Sequence, residues 1–250
     1  MNYKMEKLTP YSDKRSSKTD QIEEMFDKIA PNYDFLNHAL SFGLDKGWRK
    51  KGIESLDDIS PQKILDIATG TGDLAVMAYQ ILHPEHILAV DISEGMMNIG
   101  RKKIKKAGLS KHIELEWQDS ANLELEDNSF DAAMVAFGVR NFENLDKGLQ
   151  EILRVLRPGG KLMILELSTP EHFPMKQGYY VYSRFIIPGI GRIVSGKKAA
   201  YSYLPKSISA FPQNKALKEI MIKNGYVNVD YKILSLGVCT LYTGMKNKVI

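Results

Sequence analysis

The stretch that decides the fold is "KILDIATGTGDLA", Lys63 to Ala75. An apolar run leads into Gly70-Thr71-Gly72, and Asp73 opens a segment of helical periodicity, so the order is strand, tight glycine turn, helix. The same rhythm recurs downstream. "ILAVDI" precedes a helix predicted from about Gly95 to Ala107, closed by Gly108 as its C′ residue. "IELEWQD" and "FDAAMVAFG" follow, a helix over Leu145 to Leu156 stops at "RPGG", and "KLMILEL" is another apolar strand. Short apolar strands alternating with helices need a parallel sheet covered on both faces. The predicted fold class is therefore α/β, a doubly wound Rossmann-like sheet over roughly residues 60–170.

The remainder divides by pattern. Residues 1–19 are polar and read as a flexible tail, and residues 20–250 as a single domain. Within it, 20–60 is a helical N-terminal cap. Ile22, Met25, Phe26 and Ile29 recur at helical spacing behind Thr19 or Asp20, and Pro31 ends that helix. "NYDFLNHALSFGLDKGWRKKGIESL" suits one or two short helices around a loop. Residues 171–212, rich in Pro, Gly and Tyr with broken periodicity, read as an inserted lid or substrate region. Residues 213–246 supply a closing helix and two strands turning at Gly237, an antiparallel hairpin that a plain dinucleotide fold does not use.

A chain of 250 residues, 44% hydrophobic, can bury one large core. Its one cysteine, Cys239, excludes a disulfide framework and a cysteine-based metal cluster, and no metal site is expected. The N-terminal residues lack the apolar core of a signal peptide, and no run of about 18 apolar residues could span a bilayer, which predicts a cytoplasmic protein. A net charge of +4 is too weak to argue for nucleic acid.

The glycine turn leaves the cofactor open at first. Gly70, Gly72 and Ala75 satisfy the dinucleotide form G-x-G-x-x-A, and Asp91 lies 21 residues beyond Gly70, where a ribose-binding acid belongs. Charge discriminates. A pyrophosphate wants a helix N-terminus free of carboxylates. Asp66 and Asp73 flank this one, which suits S-adenosylmethionine (SAM), a cofactor with a sulfonium and an ammonium and no phosphate. Each residue also has a plainer reading: Asp73 as a first-turn acid, the glycines as turn formers, Asp91 and Ser93 as a helix cap. After the third strand, Asp119 and Ser120 stand where a polar group reaches adenine. Gly138 and Arg140 follow the next strand at its carboxyl edge, and Arg140 either meets a substrate or forms a surface ion pair with Asp146 or Glu143.

Three blocks then carry a resemblance: "YDFLNHALSFGLDKGW" at Tyr33–Trp48, "LDIATGTGDLA" with "VDISEGMM", and "FGVRNF" followed by "RVLRPGGKLMILELS" up to Ser168. The chain resembles the UbiE/MenG family of class I SAM-dependent methyltransferases, which C-methylate prenylated quinols. The resemblance implies SAM contacts at Thr71, Asp91, Asp119 and Ser120, with Gly70, Gly72 and Asp66 in the same turn. It implies demethylmenaquinol as substrate, with the ubiquinone-pathway benzoquinol as the alternative. From other classes, a nicotinamide-dependent dehydrogenase and a non-catalytic SAM-binding protein stay open. A nucleic-acid methyltransferase lacks both of its usual signatures here: Cys239 lies in the last strand, and the fourth strand ends in "AFGVRN".

Methyl transfer to a quinol carbon asks for a cation or base near the ring hydroxyl, which points to Arg140, with Tyr33 and His38 on the cap as further catalytic candidates and Asp34 as another proton relay. Departures from the family pattern include Leu36 for Met, Asp45 for His, Arg157 for Lys and Ala136 for Ser. From His172 to Lys218 there are eight Lys or Arg and no Asp or Glu, interleaved with Tyr, Phe and Ile. That composition predicts peripheral contact with an anionic membrane, at the inner face of the cell membrane, through Arg192, Lys197 and Lys198. Oligomeric state is open, a homo-oligomer included.

Overall fold

The computed structural model describes residues 3–11, 14–186, 189 and 198–248. Seven strands form one sheet in the order β3-β2-β1-β4-β5-β7-β6. They are β1 (Lys63–Ile67), β2 (His86–Asp91), β3 (Ile113–Trp117), β4 (Phe130–Ala136), β5 (Leu156–Leu167), β6 (Tyr226–Leu234) and β7 (Cys239–Lys246). The first five pair in parallel, with Leu65 opposite both Leu88 and Ala133, while β7 runs antiparallel between β5 and β6. Strand order reverses between β1 and β4, so the crevice beyond their carboxyl ends is where such sheets hold ligands.

The predicted α/β sheet and the closing antiparallel hairpin are both present. Its helices also fall where periodicity placed them: α4 (Asp73–Leu82), α5 (Glu94–Lys106) and α6 (Leu145–Val155). Ala107 caps α5, and Gly108 follows at φ +73°, a left-handed backbone that costs glycine least. One face of the sheet buries Leu65, Val135, Leu149, Ile152 and Tyr226, the other Ile64, Ala75, Ala89, Met134 and Met163. Leu162 and Met163, neighbours on β5, go to opposite faces, as period-two geometry demands.

The cap comprises α1 (Lys18–Ile29), α2 (Tyr33–Leu40) and α3 (Leu44–Glu54). The start of α1 lies slightly before the expected Thr19 or Asp20. Ser17 is the N-cap, accepting from the Asp20 amide while Asp20 accepts from the Ser17 amide, a complete capping box. Ile22, Met25, Ile29 and Leu36 pack against Tyr201 and Tyr203 of α8 (Lys198–Ala210), which with α7 (Met175–Val181) and a π turn (Tyr182–Ile186) belongs to the described part of the region read as a lid. Helix α9 (Lys215–Lys223) then leads into β6. Arg192 and Lys197, two of the three expected membrane contacts, and the side chain of Lys198, the third, lie outside the described residues.

One expectation is overturned. The first 19 residues are not a free tail over their described part: Met5 is fully buried, the Tyr3 hydroxyl donates to Asp146 at 3.0 Å, and the Lys18 ammonium donates to the carbonyls of Met5, Arg140 and Phe142 at 2.8, 3.4 and 3.0 Å. Polar composition hid a docking segment because its bonds reach residues far along the chain. Burial drops the Lys18 ammonium to about 8. Replacing Met5 with Ala should lower stability by about 2–5 kcal/mol, the range for emptying a buried methionine site. Urea unfolding measures it; an unchanged midpoint would return the segment to a free tail.

Candidate active site

The turn after β1 is built from left-handed residues, Ala68 at φ +55°, Gly70 at +60° and Gly72 at +77°. It is held from the next strand. Asp91, at the end of β2, accepts from the Gly70 amide at 2.7 Å and from the Ser93 amide at 2.8 Å. Gly70 and Asp91 then line a cleft over the switch point, together with Asp119 and Ser120 beyond β3, Gly138 beyond β4 and Glu143. The side chains on this wall include three carboxylates, Asp91, Asp119 and Glu143, and no Lys, Arg or His among the described residues. Such a donor set repels a pyrophosphate and fits a cationic cofactor with ribose hydroxyls and an adenine amine to be accepted.

Other residues of the turn have different partners from those expected. The Thr71 side chain does not line the cleft: its hydroxyl donates to Asp34 at 2.6 Å and accepts from Lys103 at 3.0 Å. Gly72 serves as the N-cap of α4. Asp73 is paired with Lys103 at 2.5 Å, so the carboxylate that argued against a phosphate is already neutralised; the cleft's own acids carry that argument instead. Asp34, read as a relay, bridges Lys103 and Thr71 and so ties α2 to the glycine turn. Asp66 sits buried behind the turn, its Oδ2 accepting from the Thr69 hydroxyl at 2.6 Å and its Oδ1 without a partner.

Beside the cleft lies a second cavity of about 380 Å³, mostly apolar, walled by α1, α2, α3, α7 and α8. Phe26, Tyr33, Phe137 and Asn141 border both spaces. Arg140 also lines the apolar cavity, but neither expected ion pair forms: Nη1 donates to buried Glu166 at 2.7 Å, Glu143 accepts from Thr19, and Asp146 bonds Tyr3, Lys223 and Asn224. Its Nε has no hydrogen-bond partner. Tyr33 belongs to the shared wall, whereas His38 borders neither space and bonds Asp45 Oδ2 through Nδ1 at 2.8 Å.

Sequence reasoning passed over Asn141, Glu166 and Tyr203, and met Asp45 only as a departure from the family pattern. Glu166 had left a signal as the lone acid in "KLMILEL"; Tyr203 had none, because its helix lies in a stretch without clear periodicity. Asp45 lines the cavity; burial pushes its carboxyl up, but the Ser41 hydroxyl, the Arg49 guanidinium and His38 outweigh that and hold it below the usual range. Burial raises the Tyr33 phenol, pushes those of Tyr179 and Tyr182 up to about 12, and raises Tyr203 further, so these four phenols stay protonated near neutrality.

A model of the ubiE/COQ5 methyltransferase family matches residues 14–246. The chain belongs to that family. A demethylmenaquinone methyltransferase of Bacteroides fragilis is 52% identical over 246 residues, which are 98% of this chain and 100% of the relative. One of Porphyromonas gingivalis is 46% identical over 242 residues, 96% of this chain and 98% of the relative. Among solved structures, a SAM-dependent methyltransferase of Thermotoga maritima has a TM-score of 0.61 at 21% identity, covering 90% of this chain and 99% of that one. A phosphoethanolamine N-methyltransferase of Haemonchus contortus, solved with S-adenosylhomocysteine, has a TM-score of 0.56 at 16% identity, covering 75% of this chain and 49% of that one. At such identities these structures speak for the fold alone.

This family member is a SAM-dependent methyltransferase, which removes the dehydrogenase alternative and agrees with the acid-lined cleft. Burial pushes the Asp66 carboxyl up to about 7, with the nearby charge of Asp91 adding. Between the ordinary carboxylate range and about 7, the folded protein holds a proton that the unfolded chain has released. Stability contributed by that proton is therefore present at low pH and lost as pH rises through about 7. Asp66→Asn should remove this part of the slope, bringing urea midpoints at about pH 5 and about pH 8 closer together than in the wild type. An identical slope in the variant would show that Asp66 is ionised in the fold.

Proposed function

We propose that this methyltransferase C-methylates the ring of a prenylated naphthoquinol, converting demethylmenaquinol and SAM to menaquinol and S-adenosylhomocysteine. The observation that carries the reading is the apolar cavity sharing Phe26, Tyr33, Phe137 and Asn141 with the acid-lined cleft. A planar ring in the cavity lies next to the cofactor, and the same cavity has apolar walls for a prenyl chain. The names of the Bacteroides and Porphyromonas relatives favour the naphthoquinol over the benzoquinol.

When bound, SAM supplies an electrophilic methyl on sulfur; the new bond is ring carbon to methyl, the broken one methyl to sulfur, and the ring carbon's proton leaves to water. Asp91 and Asp119 have free lone pairs for ribose and adenine groups. Asp66 behind the turn, with Gly70 and Gly72 shaping it and Thr71 locked to Asp34, keeps that wall rigid. Ser120 borders the adenine end. The ring must enter reduced, since a quinone carbon is itself electrophilic. Arg140, fixed by Glu166 with its Nε unpartnered, stabilises the developing phenolate. Tyr33 holds the ring against the shared wall. Asp45 faces the cavity and His38 stands behind it, 31% exposed, a route for the hydroxyl proton toward solvent. Such a lipid-like substrate also favours peripheral contact with an anionic membrane; no helix among the described residues is long and apolar enough to cross one.

Transfer of labelled methyl from SAM tests the reaction. Label should appear on a ring carbon of chemically reduced demethylmenaquinol, and none on its quinone; label only on a benzoquinol, or on oxygen, would overturn the substrate assignment. Asp91→Ala should weaken SAM binding at least about tenfold, since two amides and the ribose lose an acceptor. Arg140→Ala would strand the buried Glu166 carboxylate, so the paired change Arg140→Gln with Glu166→Gln is the cleaner probe. It should lower turnover on the order of 10²-fold with SAM affinity kept. Equal loss of SAM binding in both proteins would contradict the division between the two sites.

A further inference from the structure

We propose that the mouth of the apolar cavity is a docking collar for an anionic lipid bilayer, through which the prenylated substrate enters without crossing water. The proposal deepens the quinol reading and rests on it for the substrate. Helix α7 supplies half of the collar. Its Met175, Gly178, Tyr179 and Tyr182, spaced at three and four residues, form cavity wall. A surface helix that buries one face should show a polar one to solvent. Here apolar groups also face solvent, beside Lys176 and Arg184: Tyr180 is 59% exposed, Val181 52% and, in the following π turn, Phe185 64%. Phe173, just before α7, is 81% exposed.

The loop between α2 and α3 supplies the other half. Phe42, 78% exposed, and Leu44 both line the cavity and face outward, which places them at its mouth. The two halves touch: the Phe42 ring lies 5.9 Å from that of Tyr182, whose hydroxyl donates to the Leu40 carbonyl. Exposed aromatics grouped at the entrance of an apolar cavity mark an interaction surface rather than scattered exposure.

Charge selects the occupant. The charged side chains of α7 and its π turn are Lys176 and Arg184, both exposed, and no acid occurs between His172 and Lys218. Aromatic and aliphatic groups interleaved with basic ones, which can snorkel to headgroups, are the composition of an interfacial helix. A second copy of the chain docked symmetrically through this collar would set Lys176 and Arg184 against their own kind, whereas an anionic bilayer pairs with them.

The test uses the full chain and the triple variant Phe173→Ser, Tyr180→Ser, Phe185→Ser, none of which borders either cavity. Vesicles of phosphatidylglycerol and phosphatidylcholine in equal parts should co-sediment the wild type, and the variant's partition should fall at least about tenfold. Turnover of demethylmenaquinol embedded in those vesicles should fall in parallel, while turnover of a short-chain analogue in detergent stays unchanged. Unaltered partition of the variant overturns the proposal. So does sedimentation velocity that shows a wild-type dimer dissociated by the same substitutions with vesicle binding intact. If neither protein methylates the detergent-solubilised quinol, the substrate reading fails, and the co-sedimentation result still decides the collar.

Discussion

Both halves of the site hang on the carboxylate of Asp91. By accepting the Gly70 and Ser93 amides together, it fixes the turn after β1 to the end of β2 and sets the opening residue of α5. Buried carboxylates favour protonation, and burial raises this one, with the nearby charge of Asp27 adding; the hydrogen bonds from the Ser93 and Gly70 amides pull the other way without cancelling it. A turn pinned in this way presents α4 at a constant angle. Around it the cap is then attached by charge: Asp27 accepts from the Ser93 hydroxyl and the Gly95 amide, and Asp34 bridges Lys103 and Thr71. The cap thus closes one side of the cleft because the glycine turn is already rigid.

Between the acid-lined cleft and the apolar cavity, the wall is made of side chains from three separate elements: Phe26 from α1, Tyr33 from α2, and Phe137 with Asn141 from the segment after β4. Phe26 and Tyr33 meet edge to face, and the other two are aligned from outside the wall. Asn141 accepts from Tyr203 of α8 at 3.3 Å, and Phe137 donates its amide to Leu165 of β5. Methyl transfer depends on alignment more than on any single strong group, and a wall referenced to the sheet, the cap and the lid supplies it.

Elements whose signal is local were legible in the sequence. Strands β1, β2, β4 and β5 read directly because a parallel sheet buried on both faces demands near-continuous apolar runs, the edge strand β3 read by its alternation, and Gly108 marked the end of α5 because a left-handed C′ position favours glycine. Asp91 and Asp119 read directly because strand ends fix where their side chains emerge. What stayed hidden depended on distant partners. Thr71 looked like a cofactor contact until Asp34 and Lys103, each more than 30 residues away, were seen to occupy its hydroxyl. Asp73 misled for the same reason. Polar composition made the first residues look free when carbonyls beyond β4 were holding Lys18.

That last bond has a temporal consequence. The Lys18 ammonium finds its acceptors on Arg140 and Phe142, 122 and 124 positions further along. During synthesis, which runs from the N-terminus, the segment around Lys18 therefore lacks these acceptors until residues 140–142 have left the ribosome. Strand β7, made later than β6, slots between β5 and β6. Docking of the segment around Lys18 and completion of the sheet each wait on residues made long after the elements they secure.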